Sequence, residues 1–277
     1  MSNQITEPVA DLKTQVRDFW QKDPCGEVYA EGNSLLERFE SHRATRYSLV
    51  PEILRFGRFA DAAGRDVLEI GVGMGADHVE WAKAGPRSLA GIDLTPAGIE
   101  YTRQRLQVYG FSSHLQVGDA ENLPFPDESF DIVYSWGVLH HSPDTARAVR
   151  EVLRVLRPQG VARIMIYHKY SIVGYMLWLR YGLLKGRPLR SLTSIYAEHL
   201  ESPGTKAYSI KEATQLFQGF SSVHAHSELC IGDTLEGSAG QRHPGVLLNV
   251  VRAIWPRKLV RRFFPNQGLT LLVDAAK

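Results

Sequence analysis

An open, mostly parallel α/β sheet with helices on both faces is the fold class the sequence predicts, and three observations predict it. The apolar run Val67, Leu68 and Ile70 breaks into Gly71, Gly73 and Gly75, and a helical pattern follows from Asp77 to Ala84. That helix stops at Gly85-Pro86, and a second strand, Ser88 to Ile92, delivers Asp93 about 20 residues beyond the turn. Strand-like stretches then alternate with helical ones: Ser113 to Val117, Phe130 to Trp136, Val161 to Tyr167, Ser222 to Leu229 and Leu269 to Val273. The sum is a seven-stranded sheet.

The chain has 277 residues, enough for one large domain with additions. Residues 1–64 read as an N-terminal helical cap, and 65–277 as the main domain with insertions near 170–206 and 231–268. Hydrophobic residues at 44% and charged residues at 22% are those of a globular chain with a sizeable core, not of a disordered one. A net charge of +2 gives no field that argues for DNA or RNA as a substrate. The first twenty residues have acids and no apolar segment, so they read as neither a secretion signal nor an anchor. Cys25 and Cys230 are too few for a disulfide framework or a cysteine zinc site, and a reducing cytoplasm is the simplest setting.

The chemistry is carried by the first turn. Glycines at 71, 73 and 75 let the backbone turn sharply and leave no side chain between main chain and ligand. Asp93 can accept hydrogen bonds from both hydroxyls of a ribose, which makes this a nucleoside site. Gly71, Gly73 and Ala76 satisfy the dinucleotide pattern by themselves, so an NAD(P)-dependent oxidoreductase is one reading. Against it stands Glu69, two residues before the first glycine, where a carboxylate would repel a pyrophosphate. S-adenosyl-L-methionine, with an ammonium, a sulfonium and no phosphate, suits that acid.

Four motifs in order resemble the set found in class I S-adenosylmethionine-dependent methyltransferases: Glu69 through Gly75, Gly91 to Leu94, Gly118 to Phe125, and Leu156 to Gly160. The chain is most similar to the broad quinone-biosynthesis-like group of small-molecule enzymes. The resemblance covers roughly Asp66 to Tyr167. It implies a Rossmann-like sheet and a cofactor held by Glu69, Gly71, Gly73, Gly75, Asp93, Leu94, Asp119 and Ala120, with Asp119 accepting from the adenine amine. It further implies that Ser135, Trp136 and Gly137 contact the methionine portion, and that the N-terminal helices form a lid. The expected acceptor is a small organic molecule, an apolar one included.

Elsewhere the signals are weaker. His140 or His141 could serve as a general base, or the pair could order the loop before the next helix; on an extended chain only one would face the pocket. Tyr167 and His168 end a strand facing the acceptor side, Tyr167 as a catalytic candidate and His168 as a substrate contact. Tyr29 and Arg43 are the substrate-binding candidates from the cap. No metal is expected: two adjacent histidines lack a third spaced ligand, and His224, His226 and His243 lack defined spacing. Ser34 with Glu37 makes a helix-capping signature, and Thr95-Pro96 and Ser209 open two further helices. Ser171 to Leu184 reads as a lid helix, too short to cross a bilayer. The basic, apolar stretch 246–264 reads either as a cap helix pair divided by Pro256 or as a peripheral membrane contact. A non-catalytic, membrane-associated member of the fold is thus a third reading.

Overall fold

The computed structural model describes residues 6–236 and 252–277, with side chains from residue 11 onward. Seven strands form one sheet in the order β3-β2-β1-β4-β5-β7-β6. They are β1 (Asp66–Ile70), β2 (Ser88–Asp93), β3 (His114–Val117), β4 (Phe130–Trp136), β5 (Leu156–Tyr167), β6 (Ser222–Glu228) and β7 (Thr270–Ala276). The first five run parallel; β7 lies antiparallel to both neighbours. All five residues of β1 are buried, as expected of a central strand covered on both faces. The strand order reverses between β1 and β4, and the crevice at their carboxyl ends is where open sheets of this kind take ligands.

Helices cover both faces because the apolar side chains of the strands need partners on both. On one face α6 (Thr145–Val155) sends Val149 and Val152 against Leu68, Val133 and Ile164, and α9 (Ile210–Leu216) lies beside them with Ala213. On the other, Trp81 of α4 (Ala76–Lys83) meets the Tyr134 ring edge-on at 5.4 Å, and Leu106 of α5 (Pro96–Tyr109) joins the same cluster. The local signals hold: Thr95 accepts from Gly98 N, and Ser34 and Ser209 each close a capping box. The β5 strand starts earlier than expected, at Leu156 instead of Val161, because Pro158-Gln159-Gly160 stays in the strand as an irregularity between Phe130 and Ile132 pairings, with Gln159 at φ +66°.

Of the N-terminal helices α1 (Thr6–Lys22), α2 (Leu35–Leu49) and α3 (Glu52–Gly57), α2 is bound to the sheet domain through buried charge. Arg46 donates from Nε and Nη2 to the two oxygens of Asp77 at 3.0 and 2.8 Å, while Tyr47 and Tyr134 each donate a hydroxyl to the same carboxylate at 3.0 Å. Burial works against the Asp77 charge, but Arg46 and the phenols outweigh it and hold its carboxyl below the usual range. Between β5 and α9 the chain inserts α7 (Ile172–Tyr181) and α8 (Leu192–His199); between β6 and β7 it carries α10 (Ile231–Thr234) and α11 (Arg257–Phe263). No helix among the described residues is long and apolar enough to cross a membrane. His243 and 246–251 of the basic stretch lie outside the described residues.

Candidate functional site

The glycine turn opens onto a cavity of about 1340 Å³ at the carboxyl ends of β1, β2, β4 and β5. Its three glycines differ in what they exclude. A Cβ at Gly71 would fall 2.2 Å from Val138 Cγ2 and one at Gly75 2.9 Å from Thr102 Cα, so both glycines are fixed by protein packing. At Gly73 no protein atom lies within 4 Å of that position, so its backbone is bare toward the cavity. All three have positive φ.

Asp93 closes this turn from the next strand. Its Oδ2 accepts from Gly73 N at 2.9 Å, and Oδ1 accepts from Thr95 N and Oγ1 at 2.9 and 2.7 Å. Oδ1 is filled by its two bonds, and Oδ2 keeps one further lone pair, which can accept from a ribose hydroxyl. Burial raises the Asp93 carboxyl, opposed by those three hydrogen bonds. Leu94 and Ala120 line the same wall, as do Trp136 and Gly137 beyond β4. Asp119 lies at the cavity edge, with Oδ2 2.6 Å from Lys13 Nζ of α1 and Oδ1 accepting from Glu121 N at 2.9 Å. Lys13 also meets Glu121 at 2.7 Å, so α1 is latched across the Asp119 end of the cleft.

Glu69 differs from its expected role as a negative charge facing the ligand. It is 3% exposed, and its Oε2 lies 2.9 Å from His78 Nδ1, while His78 Nε2 lies 2.8 Å from Ser113 Oγ. The Ser113 hydroxyl donates to Leu89 O at 2.9 Å, so Nε2–H donates to Ser113, Nδ1 is the bare nitrogen, and Glu69 supplies the proton between them. Burial pushes the Glu69 carboxyl well up, with Asp77 adding to it, and pushes the His78 imidazole down to about 3. Glu69 is therefore a neutral wall of the cavity. The repulsion argument against a pyrophosphate loses its force, and the selection has to come from the rest of the site.

Four further candidates do not reach the cavity. Ser135 is fully buried and donates to Ile70 O at 3.0 Å; it sits opposite Trp136 in the strand alternation and fastens β4 to the end of β1. His140 is fully buried with both ring nitrogens lacking a hydrogen-bond partner, and burial drives its imidazole far below the ordinary value; it packs on the Tyr167 ring at 4.0 Å. His168 is buried, with Nδ1 3.1 Å from Gly268 O. Arg43 donates to Glu80 at 2.7 Å and lies over the Tyr47 ring, on the outer side of α2. Tyr29, Tyr167 and His141 do line the cavity.

A polar cluster at the far end of the cavity from Asp93 involves residues the sequence did not single out. Tyr167 donates to Glu201 Oε2 at 2.7 Å, and His141 Nε2 lies 3.4 Å from the same oxygen. His141 Nδ1 meets Ser202 Oγ at 2.8 Å and Thr205 Oγ1 at 3.2 Å. Glu201, Ser202 and Thr205 follow α8, and Lys206 N donating to His140 O at 3.1 Å pins this loop onto the turn after β4. His140, His141 and Glu201 hold ligand-type atoms within 4.8 Å of one another, the one such trio among the described residues. No motif marks the segment, since its proximity to β4 is created by the insertion. Around this cluster the cavity is apolar: Ile172, Met176 and Leu177 from α7, Ile231 from α10, Val260 from α11, and Leu269.

Residues 68–164 match a family model described as a methyltransferase domain. This stretch is similar to a methyltransferase domain, and it carries the glycine turn and the parallel strands that bound the cavity. Among characterised relatives, a phthiotriol/phenolphthiotriol dimycocerosates methyltransferase of Mycobacterium leprae is 42% identical over 99 residues, 35% of this chain and 36% of that protein. Ajmaline N-methyltransferase of Rauvolfia serpentina is 31% identical over 132 residues, 46% of this chain and 45% of that protein. The chain thus matches less than half the length of these relatives. An S-adenosylmethionine-dependent methyltransferase of Mesorhizobium loti superposes with a TM-score of 0.53 at 18% identity, covering 82% of this chain and 97% of that one. The [4+2]-cyclase SpnF superposes at 0.51 with 15% identity, covering 98% and 94%. These structures share the fold; the reaction has to be argued from the site.

Proposed function

We propose that the protein transfers the methyl group of S-adenosylmethionine to a small, apolar organic acceptor. The observation that carries this is one cavity with two differently built ends: a nucleoside end of bare glycine backbone and Asp93, and an apolar chamber ending in Glu201, Tyr167 and His141. At about 1340 Å³ the cavity exceeds the roughly 300–1,000 Å³ of an ordinary ligand pocket, so a donor and an acceptor fit together. The residues fit the donor, because the space beside Gly73 is free of side chains and Asp93 retains acceptor capacity toward it. Asp93 would hold the ribose, Asp119 the adenine amine once Lys13 yields, and Gly71, Gly73, Trp136 and Gly137 the methionine end. The donor supplies an activated methyl on a sulfonium. The protein's part is alignment of the two partners and exclusion of water by the helices over the cavity.

Titration calorimetry with S-adenosylhomocysteine tests the assignment. Asp93→Ala is expected to weaken binding by about tenfold or more, through loss of hydrogen bonds to a charged acceptor. Unchanged affinity would remove Asp93 from the site.

A peripheral membrane contact is a second, finer reading, favoured by the mouth of the chamber. Leu179, Leu184 and Phe264 line the cavity and are exposed as well, and Leu259 and Phe263 stand out beside Lys258 and Arg262 on α11. An apolar acceptor would enter there from a lipid surface. Flotation with anionic vesicles checks it: Leu259→Glu with Phe263→Glu should abolish co-flotation, and flotation unaffected by the pair would exclude this face.

A further inference from the structure

The cavity does not end at the sheet; it follows α7 for the whole of that helix. Gly174, Trp178 and Tyr181, about one turn apart, form the stripe of α7 that faces away from it. That stripe holds α7 against the segment after it. A Cβ at Gly174 would strike the Tyr196 hydroxyl, Trp178 Nε1 donates to Pro188 O at 3.2 Å, and Tyr181 stacks on His199 at 3.9 Å. The other side of α7, with Ile172, Val173, Met176, Leu177 and Leu179, lines the cavity, and Leu184 continues the row. Tyr175 and Arg180 line it too and are exposed. Burial changes along the row: Ile172 and Val173 are half-buried, whereas Leu179 and Leu184 are 46% and 66% exposed. The half-buried end lies at the sheet, where Ile172 N donates to Gln267 O at 2.9 Å just before β7. Further apolar wall comes from Ile231, Leu235, Val260 and Phe264. Fully buried Asp233 fixes the spacing, since Oδ1 accepts from Val173 N at 3.1 Å and Oδ2 from Leu269 N at 2.8 Å, tying α7 and α10 to the start of β7.

On the reading that methyl transfer occurs in this cavity, its shape selects the acceptor. α7 has ten residues and rises about 15 Å. An extended hydrocarbon chain, with bonds of about 1.5 Å at near-tetrahedral angles, advances about 1.25 Å per carbon, so the groove takes about twelve carbons end to end. A compact ring system would leave much of that length unfilled, and an unfilled apolar wall contributes neither burial nor contact energy. We infer that the acceptor carries a single unbranched hydrocarbon chain laid along α7, with its methyl-accepting end at Tyr167 and Gly137 and its tail at the exposed mouth by Leu184 and Phe264. The polar cluster of His141 and Tyr167 lies at the closed end, so the chain enters with its polar head first. The helix then acts as a ruler. Carbons short of the mouth exchange water for apolar wall, and carbons beyond it return to water.

The test is equilibrium dialysis of the full chain against radiolabelled 1-alkanols from butanol to tetradecanol, with 1-adamantanol as a compact alcohol of the same carbon number as decanol. Affinity of the wild-type protein is expected to rise about three- to fourfold with each added methylene and to level off at about twelve carbons. Decanol should bind at least tenfold more tightly than 1-adamantanol. Met176→Trp and Leu179→Trp narrow the groove at two depths, so the break should come at a shorter chain in both, and about three to four carbons earlier in Met176→Trp, the rise of three helical residues. Leu179 is exposed enough for its variant to fold whatever becomes of the other. Affinity that is indifferent to chain length overturns the inference, as do binding of no alkanol, 1-adamantanol bound as tightly as decanol, and a break that Leu179→Trp leaves in place. S-adenosylhomocysteine titrated separately distinguishes the two levels. Its binding beside a flat alkanol profile would defeat the chain alone, and its failure to bind beside a broken profile would defeat methyl transfer and leave a chain-binding groove.

Discussion

Two buried residues next to the glycine turn, Glu69 and His78, share one proton and set a measurable pH dependence. His78 is held neutral, its imidazole lowered to about 3 by burial, so the unfolded chain binds a proton that the folded one refuses below the ordinary histidine value. Stability from this residue is complete above about pH 6.5 and is lost as the pH falls toward 3, at roughly 1.4 kcal/mol per pH unit. His78→Gln is expected to flatten the acid side of a stability curve from chemical denaturation between about pH 6.5 and 4.5; an unchanged slope would mean that His78 is charged in the fold. Glu69 acts in the opposite sense. Its raised carboxyl favours the folded state at low pH, and that contribution is lost as pH rises through its folded value, so Glu69→Gln should selectively strengthen the protein on the alkaline side. Neither residue's state was readable from the sequence, where Glu69 looks like a charge facing a ligand. The partner that neutralises it lies nine residues away on α4 and meets it only once β1 and α4 are packed.

At the scale of elements, the cap owes its position to one buried cluster. Arg46 of α2 and Asp77 of α4 form a two-point pair closed by two tyrosines, and removing one partner of such a pair strands a buried charge. Arg46→Ala is expected to lower stability by about 3–5 kcal/mol in denaturant titration. Arg43→Ala, one turn earlier and a third exposed, removes a surface pair with Glu80 and should cost about 1 kcal/mol or less, without effect on acceptor binding. Equal effects would contradict the docking described for α2. The glycine turn and Asp93 were legible because strand, turn, helix and next strand are consecutive, so spacing alone places them. Trp136 and Tyr167 were legible as strand ends at the ligand-binding edge. Ser135 and His168 were misplaced by the same argument, since side chains alternate along a strand and each neighbours a residue that takes the cavity side.

At the scale of the whole molecule, the sheet supplies the glycine-turn end of the cavity and the insertions supply its apolar end. The sheet order, the switch point between β1 and β4 and the crevice follow from alternating strand and helix patterns. The acceptor end does not, because Glu201, Ser202 and Thr205 come from a segment with no motif, brought onto His141 by backbone bonds of Lys206 and Tyr208. The relatives match less than half of this chain, so the acceptor has to be read from the side chains that line its own cavity. The central claim is that a phosphate-free adenosyl donor lies across the ends of β1 and β2 with its sulfur toward Gly137 and Glu201. A crystal structure with S-adenosylhomocysteine measures this directly. The account predicts a ribose hydroxyl on Asp93 Oδ2, the homocysteine chain along Gly71 to Gly73, and the Lys13 to Asp119 contact opened for adenine. A protein that leaves this ligand unbound and instead binds NADH in the same turn would contradict it.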